Sequence, residues 1–218
     1  MACLNPHSLV EARNDPVFQK ALAGADILLP DGAGIVVAAK MLGLDLRERV
    51  AGSDFFSELS RQAEKRGGLR YFFVGSTNEV LEKITSRLKN DFPNIVVCGA
   101  YSPPYKEAFD NNDNKEIIDR VNRAKPDVLW VGMTAPKQEK WIYNNRDRLE
   151  VPLIAAIGAV FDFYAGTKKR APEWVCRIGL EWLPRLLREP KRLFKRNFVS
   201  SPLFLMLVLQ EKFKKLIA

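Results

Sequence analysis

The sequence predicts an α/β fold: a mainly parallel sheet with flanking helices, Rossmann-like in layout, followed by a basic α-helical appendage at the C-terminus. Three observations lead there. Short, nearly continuous apolar runs alternate with segments of helical period, the pattern of strands buried on both faces. No internal repeat and no low-complexity segment interrupts that pattern. Beyond about residue 165 the alternation stops and a Trp-, Leu- and Arg-rich tail begins.

The predicted strands are residues 27–29, 70–74 ("RYFFV"), 95–98 ("IVVC"), 127–131 ("DVLWV") and 153–157 ("LIAAI"). Between them, apolar residues at steps of three and four predict helices over 34–42, 53–65, 78–90, 115–124 and 136–148. Ser53 and Thr77 stand where N-caps belong. The expected division is an α/β body over 1–165 and a helical appendage over 166–218. The 218 residues suffice for a substantial core, and 47% of them are apolar.

Charge is distributed unevenly. The chain carries 34 Lys/Arg and 26 Asp/Glu. The appendage holds 13 of the basic and 4 of the acidic residues, which leaves 21 and 22 for the body. Such a tail calls for an anionic partner: ligand phosphates, a nucleic acid or an anionic membrane surface. Three cysteines without CxxC spacing read as reduced thiols of a cytosolic protein. "MACLNPHSLV" lacks the charged and then apolar regions of a secretory leader, and the apolar run 203–209 is much shorter than a bilayer span of ~20 residues.

In open α/β sheets ligands bind beyond the carboxyl ends of the strands. Four strand exits there are polar or Gly-rich: "PDGAG", "GSTNE", "GMTAPKQEKW" and "GAVFDFYAGTKKRAP". Pro-Asp-Gly is a turn sequence with its own mechanism, and it also places Asp31 and Gly32 before a helix whose N-terminal dipole favours a carboxylate. Gly75 and Ser76 serve equally as a phosphate cradle or as an ordinary helix entry. Thr134, Lys137 and Gln138 open a helix with Pro136 in its first turn; Gln138 has both donor and acceptor atoms for a sugar or a uracil, and a solvated first turn is the other reading. Asp162 and Arg170, in the segment that joins a buried strand to a basic loop, read as either a polar site or a salt-bridged hinge. In the tail, Arg185, Arg188, Arg192 and Lys195 or Arg196 recur at steps of three and four, suited to a diphosphate, with Pro190 interrupting the stripe. "SPLFLMLVLQEKFKKL" fits a helix lying on an anionic bilayer, or one packed onto the body or a second subunit. His7 is the single histidine, which argues against a His triad or a His-rich metal site. No Asp-x-Asp pair is present to hold a divalent cation, so the site is expected to be metal-free and to need no cofactor.

The ordered set "LNP", "LPDGAGIV", "VAGSDF", "FFVGS", "GMTAPKQEKW", "GAVFDFYAGTKKRAP" and "GLEWLPRLLREPKRL" resembles the bacterial TagA/WecG/CpsF glycosyltransferases from Leu4 to about Arg196. The resemblance implies an inverting, UDP-sugar-dependent enzyme that adds an N-acetylmannosamine-type sugar to undecaprenyl-diphosphate-linked N-acetylglucosamine. Its products would be wall teichoic acid linkage units or related exopolysaccharides. By motif, Asp31 matches the general base and Gln138 a substrate-contacting catalytic residue. Asn5 lies in the LNP segment, and Cys3 stands where the family has a Thr. Arg185, Arg192 and Lys195 match appendage groups that bind the diphosphate. The resemblance also implies a strand–helix unit before LNP that this chain lacks, which keeps a truncated, non-catalytic member as an alternative. The expected partners are the UDP-sugar, the polyprenyl-linked acceptor and an anionic membrane surface, with the protein peripheral on the cytoplasmic face. Nucleic-acid binding through the basic tail is the rival from another class. It is disfavoured because Trp174 and Trp182 lie among Leu and Ile and not between basic residues. Homo-oligomerisation stays open.

Overall fold

Four of the apolar runs become the central sheet of the computed structural model, which describes residues 1–169, 186 and 194–217. Strands β3 (Arg70–Gly75), β4 (Val96–Tyr101), β5 (Val128–Gly132) and β6 (Leu153–Ala156) pair in the order β4-β3-β5-β6, parallel throughout. The chain starts this sheet in the interior at β3, steps outward to β4, then returns to the other side for β5 and β6. The order therefore reverses between β3 and β5, where the crevice of an open α/β sheet forms. Helices α4 (Gly52–Lys65), α5 (Asn78–Asp91), α6 (Asn111–Ala124), α7 (Lys137–Asn145) and α8 (Val160–Tyr164) connect and cover the strands.

Alternate residues along each strand point to opposite faces, and each face has its own packing. Phe72, Val74, Leu129 and Val131 join Ile117, Ile118 and Val121 of α6 and Trp141 of α7 in one apolar cluster. On the other face Tyr71, Phe73 and Trp130 meet Phe56 of α4 and Phe161 and Tyr164 of α8, edge to face or tilted. Each such side chain contributes about 1.5–3 kcal/mol by leaving water, so the sheet is held from both sides.

Three elements precede what the sequence pattern reveals: β1 (Ala2–Leu4), α1 (Pro6–Ala12) and α2 (Pro16–Ala23). They are followed by β2 (Leu28–Pro30) and α3 (Ala33–Met41). Asn5 caps α1, its side chain accepting from the Ser8 N–H at 3.0 Å, and Pro6 occupies the first turn. The predicted Ser53 cap is corrected, since α4 already begins at Gly52. Thr77 does cap α5, accepting from the Val80 N–H at 3.3 Å. Helix α6 starts earlier than predicted, at a reciprocal capping box between Asp110 and Asp113. After the end of α7, residues Arg146–Arg148 tighten into a 3₁₀ turn.

The molecule divides into two compact units. The first comprises Met1–Ala2, Lys20–Leu28 and Gly52–Lys169 and contains the four-stranded sheet. Within it, Met1 continues the sheet past β6, its ammonium donating to the Ile154 carbonyl at 2.7 Å and its carbonyl accepting from the Ala156 N–H at 3.1 Å. The second unit comprises Cys3–Gln19, Leu29–Ala51 and the described part of the C-terminal residues. There a π-helical segment, Lys195–Ser200, runs into α9 (Ser201–Ile217). Phe204 and Val208 of α9 are buried against Val10, Ile35 and Ala38, and His7 Nδ1 lies 2.8 Å from Ser200 Oγ. The opposite side of α9 exposes Leu205, Met206, Leu209 and Phe213. Among the described residues no helix is long and apolar enough to cross a membrane.

Candidate active site

In the first unit the crevice is built from the exits of β3 and β5. Gly75 and Gly132 end these strands in register with one another. Gly75 has φ +114°, and a Cβ there would stand 2.5 Å from the Gly132 carbonyl oxygen. Gly132 is itself covered by the Phe161 ring, which a Cβ would meet at 2.4 Å. The bare Cα of Gly75 lets its strand exit lie against Gly132, and that of Gly132 makes room for the Phe161 ring. Ser76 follows with φ 57°, a left-handed conformation unusual for a residue with a side chain. It is held there by its N–H donating to Gly132 O at 3.1 Å and by Ser102 Oγ donating to its carbonyl at 2.7 Å. The Ser76 amide is thus already bonded, and Thr77 opens α5 immediately afterwards.

Beyond β5 the chain turns through an exposed Thr134 and a cis Ala135–Pro136 bond into α7. The Thr134 carbonyl accepts from the Lys137 N–H at 2.9 Å. Lys137, in the first turn of α7, donates from Nζ to the Lys106 carbonyl, with Nζ 3.8 Å from the centre of the Phe109 ring. Burial lowers its pKa below the ordinary lysine value. Gln138 is not part of a solvated turn. It is 4% exposed, with Nε2 donating to Glu139 Oε1 at 2.8 Å and Oε1 without a hydrogen-bond partner. Glu139 is 5% exposed, its Oε2 also lacks a partner, and burial raises its carboxyl above the usual range. Asp162 forms a bonded turn, with Lys168 Nζ at 3.3 Å from Oδ2 and Thr167 Oγ1 at 3.3 Å from Oδ1. The Arg170 that the sequence pairs with it lies outside the described residues, so both readings of that pair stand.

The Pro-Asp-Gly exit belongs elsewhere. Strand β2 is not part of the four-stranded sheet; it pairs with β1 in a two-stranded one. The expectation of four exits from one sheet is corrected to three, and Asp31 leaves β2 within the second unit. There its N–H donates to Leu4 O at 2.7 Å and to Leu29 O at 2.9 Å. Gly32 is the N-cap of α3, within van der Waals reach of Asn5 and Pro6. Asp31, Gly32 and Asn5 are thereby brought together, with half-buried Cys3 two residues before Asn5 on β1. Arg170, Arg185 and Arg192 lie outside the described residues, and of Lys195 only the backbone position, at the start of the π-helical segment, is described.

Comparison with known proteins decides what such a chain is. The model of the glycosyl transferase WecG/TagA/CpsF family matches residues 1–217. The chain belongs to this family. A relative from Bacillus spizizenii (strain ATCC 23059 / NRRL B-14472 / W23) is 35% identical over 208 residues, 95% of this chain and 77% of that protein. One from Bacillus subtilis (strain 168) is 33% identical over 215 residues, 99% of this chain and 80% of its own length. A third, from Staphylococcus aureus (strain MW2), is 29% identical over 210 residues, 96% and 79%. All three carry the name N-acetylglucosaminyldiphosphoundecaprenol N-acetyl-beta-D-mannosaminyltransferase. As a WecG/TagA/CpsF glycosyltransferase, the chain is an enzyme that transfers a sugar, with the resemblance of its motifs extending through its whole length.

Sequence reasoning missed Glu139 and Ser102 in this glycosyltransferase. An acidic residue in the first turn of a helix reads as a complement to the helix dipole, so nothing in the pattern marks Glu139 as buried. Ser102 sits after β4 without a motif, and its role depends on the left-handed Ser76 that it holds.

Proposed function

We propose that this glycosyltransferase moves N-acetylmannosamine from a UDP donor to undecaprenyl-diphosphate-linked N-acetylglucosamine, with inversion, for teichoic acid or related surface-polymer synthesis. The observation that carries the reading is the shared name of relatives up to 35% identical over nearly the whole chain. Asp31 is the general base in this proposal. It takes the proton of the acceptor hydroxyl as that oxygen attacks the anomeric carbon from the face opposite UDP. Its place directly before the N-terminus of α3 supports an ionised carboxylate there. Gln138 contacts the donor. Arg185, Arg192 and Lys195 stabilise the charge that builds on the departing diphosphate, Arg170 contributes to substrate binding, and no metal is required.

Association with the inner face of an anionic membrane completes the proposal. It is supported by the exposed Leu205, Met206, Leu209 and Phe213 on α9 beside Lys212 and Lys214, an apolar face with basic neighbours. The test is a donor screen with a short-chain diphosphate-linked N-acetylglucosamine acceptor. Transfer from UDP-N-acetylmannosamine with inverted anomeric configuration is expected. Binding of an oligonucleotide and no transfer from any UDP-sugar would overturn the reading.

A further inference from the structure

In the corner of the first unit around Gln138, the amide nitrogen lies 3.4 Å from where a Cβ on Gly158 would be and is already bonded to Glu139. Gln138 Oε1 has no partner and lies 3.3 Å from where a Cβ on Gly158 would be. The Met133 carbonyl oxygen is 3.5 Å from the same point. Glu139 Oε2 is a second buried side-chain acceptor without a partner. Gly158 follows β6, Met133 follows β5 and Gln138 opens α7, so the corner lies at the strand exits of the sheet, where ligands of such folds bind. Orphaned buried acceptors are rare in proteins because each one loses its hydration with nothing in exchange.

The amide of Gln138 is fixed by its neighbour. In its ionised form the Glu139 carboxylate can only accept, and that form holds the NH₂ end toward it, with Nε2 at 2.8 Å from Oε1. The carbonyl end is then turned away from Glu139, and no other donor among the described residues takes it. An amide held this way offers one hydrogen-bonding sense, whereas a freely rotating one offers both.

We propose that Glu139 is a positioning residue that fixes the Gln138 amide with its oxygen as the presented group, so that this corner accepts a hydrogen bond from an N–H or O–H of the sugar nucleotide. The inference rests on the UDP-sugar reading above. Two parts of such a donor carry the required chemistry: the imide N–H of the base, and the hydroxyl or acetamido N–H of the sugar.

The experiment uses the full chain and the variants Glu139→Leu, Glu139→Gln and Gln138→Met. UDP and N3-methyl-UDP affinities are measured by calorimetry, KM and kcat with UDP-N-acetylmannosamine and the short-chain acceptor, and melting temperature alongside. Glu139→Leu releases the amide and should weaken UDP binding, or raise the donor KM, about tenfold with a much smaller change in kcat. Glu139→Gln retains an acceptor oxygen and should recover most of the loss. If the base imide is the donor, N3-methyl-UDP binds the wild type about tenfold more weakly than UDP, and Gln138→Met removes that difference. If the sugar is the donor, the two nucleotides bind alike and the whole effect appears in KM. Variants with altered melting temperature but unchanged nucleotide affinity and KM would overturn the proposal and leave the pair a packing element. A wild type that transfers sugar but is matched by all three variants refutes this inference alone. A wild type that binds no UDP refutes the donor reading and this inference with it.

Discussion

Replacing Gly75 by Ala should lower the stability of the first unit by about 4 kcal/mol. The added methyl would stand 2.5 Å from the oxygen and 2.7 Å from the carbon of the Gly132 peptide, with φ held at +114°. An L-residue in such a backbone conformation costs about 1–3 kcal/mol. The contact is with backbone, which cannot rotate aside, so the ends of β3 and β5 must part and overpacking adds about 1–3 kcal/mol. Separation also breaks the bond from the Ser76 N–H to Gly132 O, a loss of about 1 kcal/mol. For a chain of this length each kcal/mol moves the melting temperature by about 2–4 °C, so a drop of roughly 8–16 °C is expected. Gly67→Ala is the matched control: φ is +96°, but nothing lies within 4 Å of its would-be Cβ. It should cost only the conformational part. Scanning calorimetry of the two variants measures the contact as their difference. Equal losses, or a Gly75→Ala drop below about 3 °C, would refute the account of why the crevice needs glycine.

Asp31→Asn should reduce transfer about 10²–10⁴-fold while sparing folding and UDP affinity, because Asn keeps the turn chemistry; more than a tenth of wild-type turnover in a radiolabelled-sugar assay would exclude Asp31 as base. Turnover should persist in EDTA, since the sequence has no Asp-x-Asp pair; activity restored only by Mg²⁺ or Mn²⁺ would count against this. On α9, Leu205→Ser with Phe213→Ser should weaken flotation on anionic vesicles with little change in melting temperature. Phe204→Ala, at a buried position in the second unit, should cost about 3–5 kcal/mol, measured by thermal unfolding. Burial raises the Glu139 carboxyl above its ordinary 4.5, so the contribution it makes is fully present below that value and lost as pH rises through the folded value. Glu139→Gln should therefore melt like the wild type at low pH and increasingly above it as pH rises. A constant offset across a pH series would contradict the burial argument.

The sheet was legible because strands covered on both faces must be apolar along their whole length. "RYFFV", "DVLWV" and "LIAAI" each lie within a residue or two of β3, β5 and β6. The first three elements were not legible by periodicity, since a three-residue strand shows no repeat. Local signals did exist: Asn5-Pro6 is a cap followed by a helix-starting proline, and Asp15-Pro16 repeats it, with Asp15 Oδ1 accepting from the Phe18 N–H. The start of α6 was missed because its first turn is entirely polar and only the capping box marks it. Asp31 was found through its turn, yet its strand was placed in the wrong sheet: an apolar triplet does not specify its pairing partner. Gln138 was singled out by its side-chain chemistry, not by any periodicity. Glu139 could not be, because its distinction is burial, a property of the packed chain and not of its neighbours in sequence.

The joining of Val10, Ile35 and Ala38 to Phe204 and Val208 has a consequence for synthesis. Nearly the whole chain must leave the ribosome between the first of these residues and the last two. At ~5–20 residues per second that is a wait of roughly ten seconds or more. Meanwhile β3 to β6, all within Gly52–Lys169, can already fold. The nascent polypeptide therefore passes through a stage with a finished sheet and an uncovered apolar platform on α1 and α3, a natural substrate for holding chaperones. A product terminated before Phe204 lacks both of the α9 side chains that pack on Val10, Ile35 and Ala38.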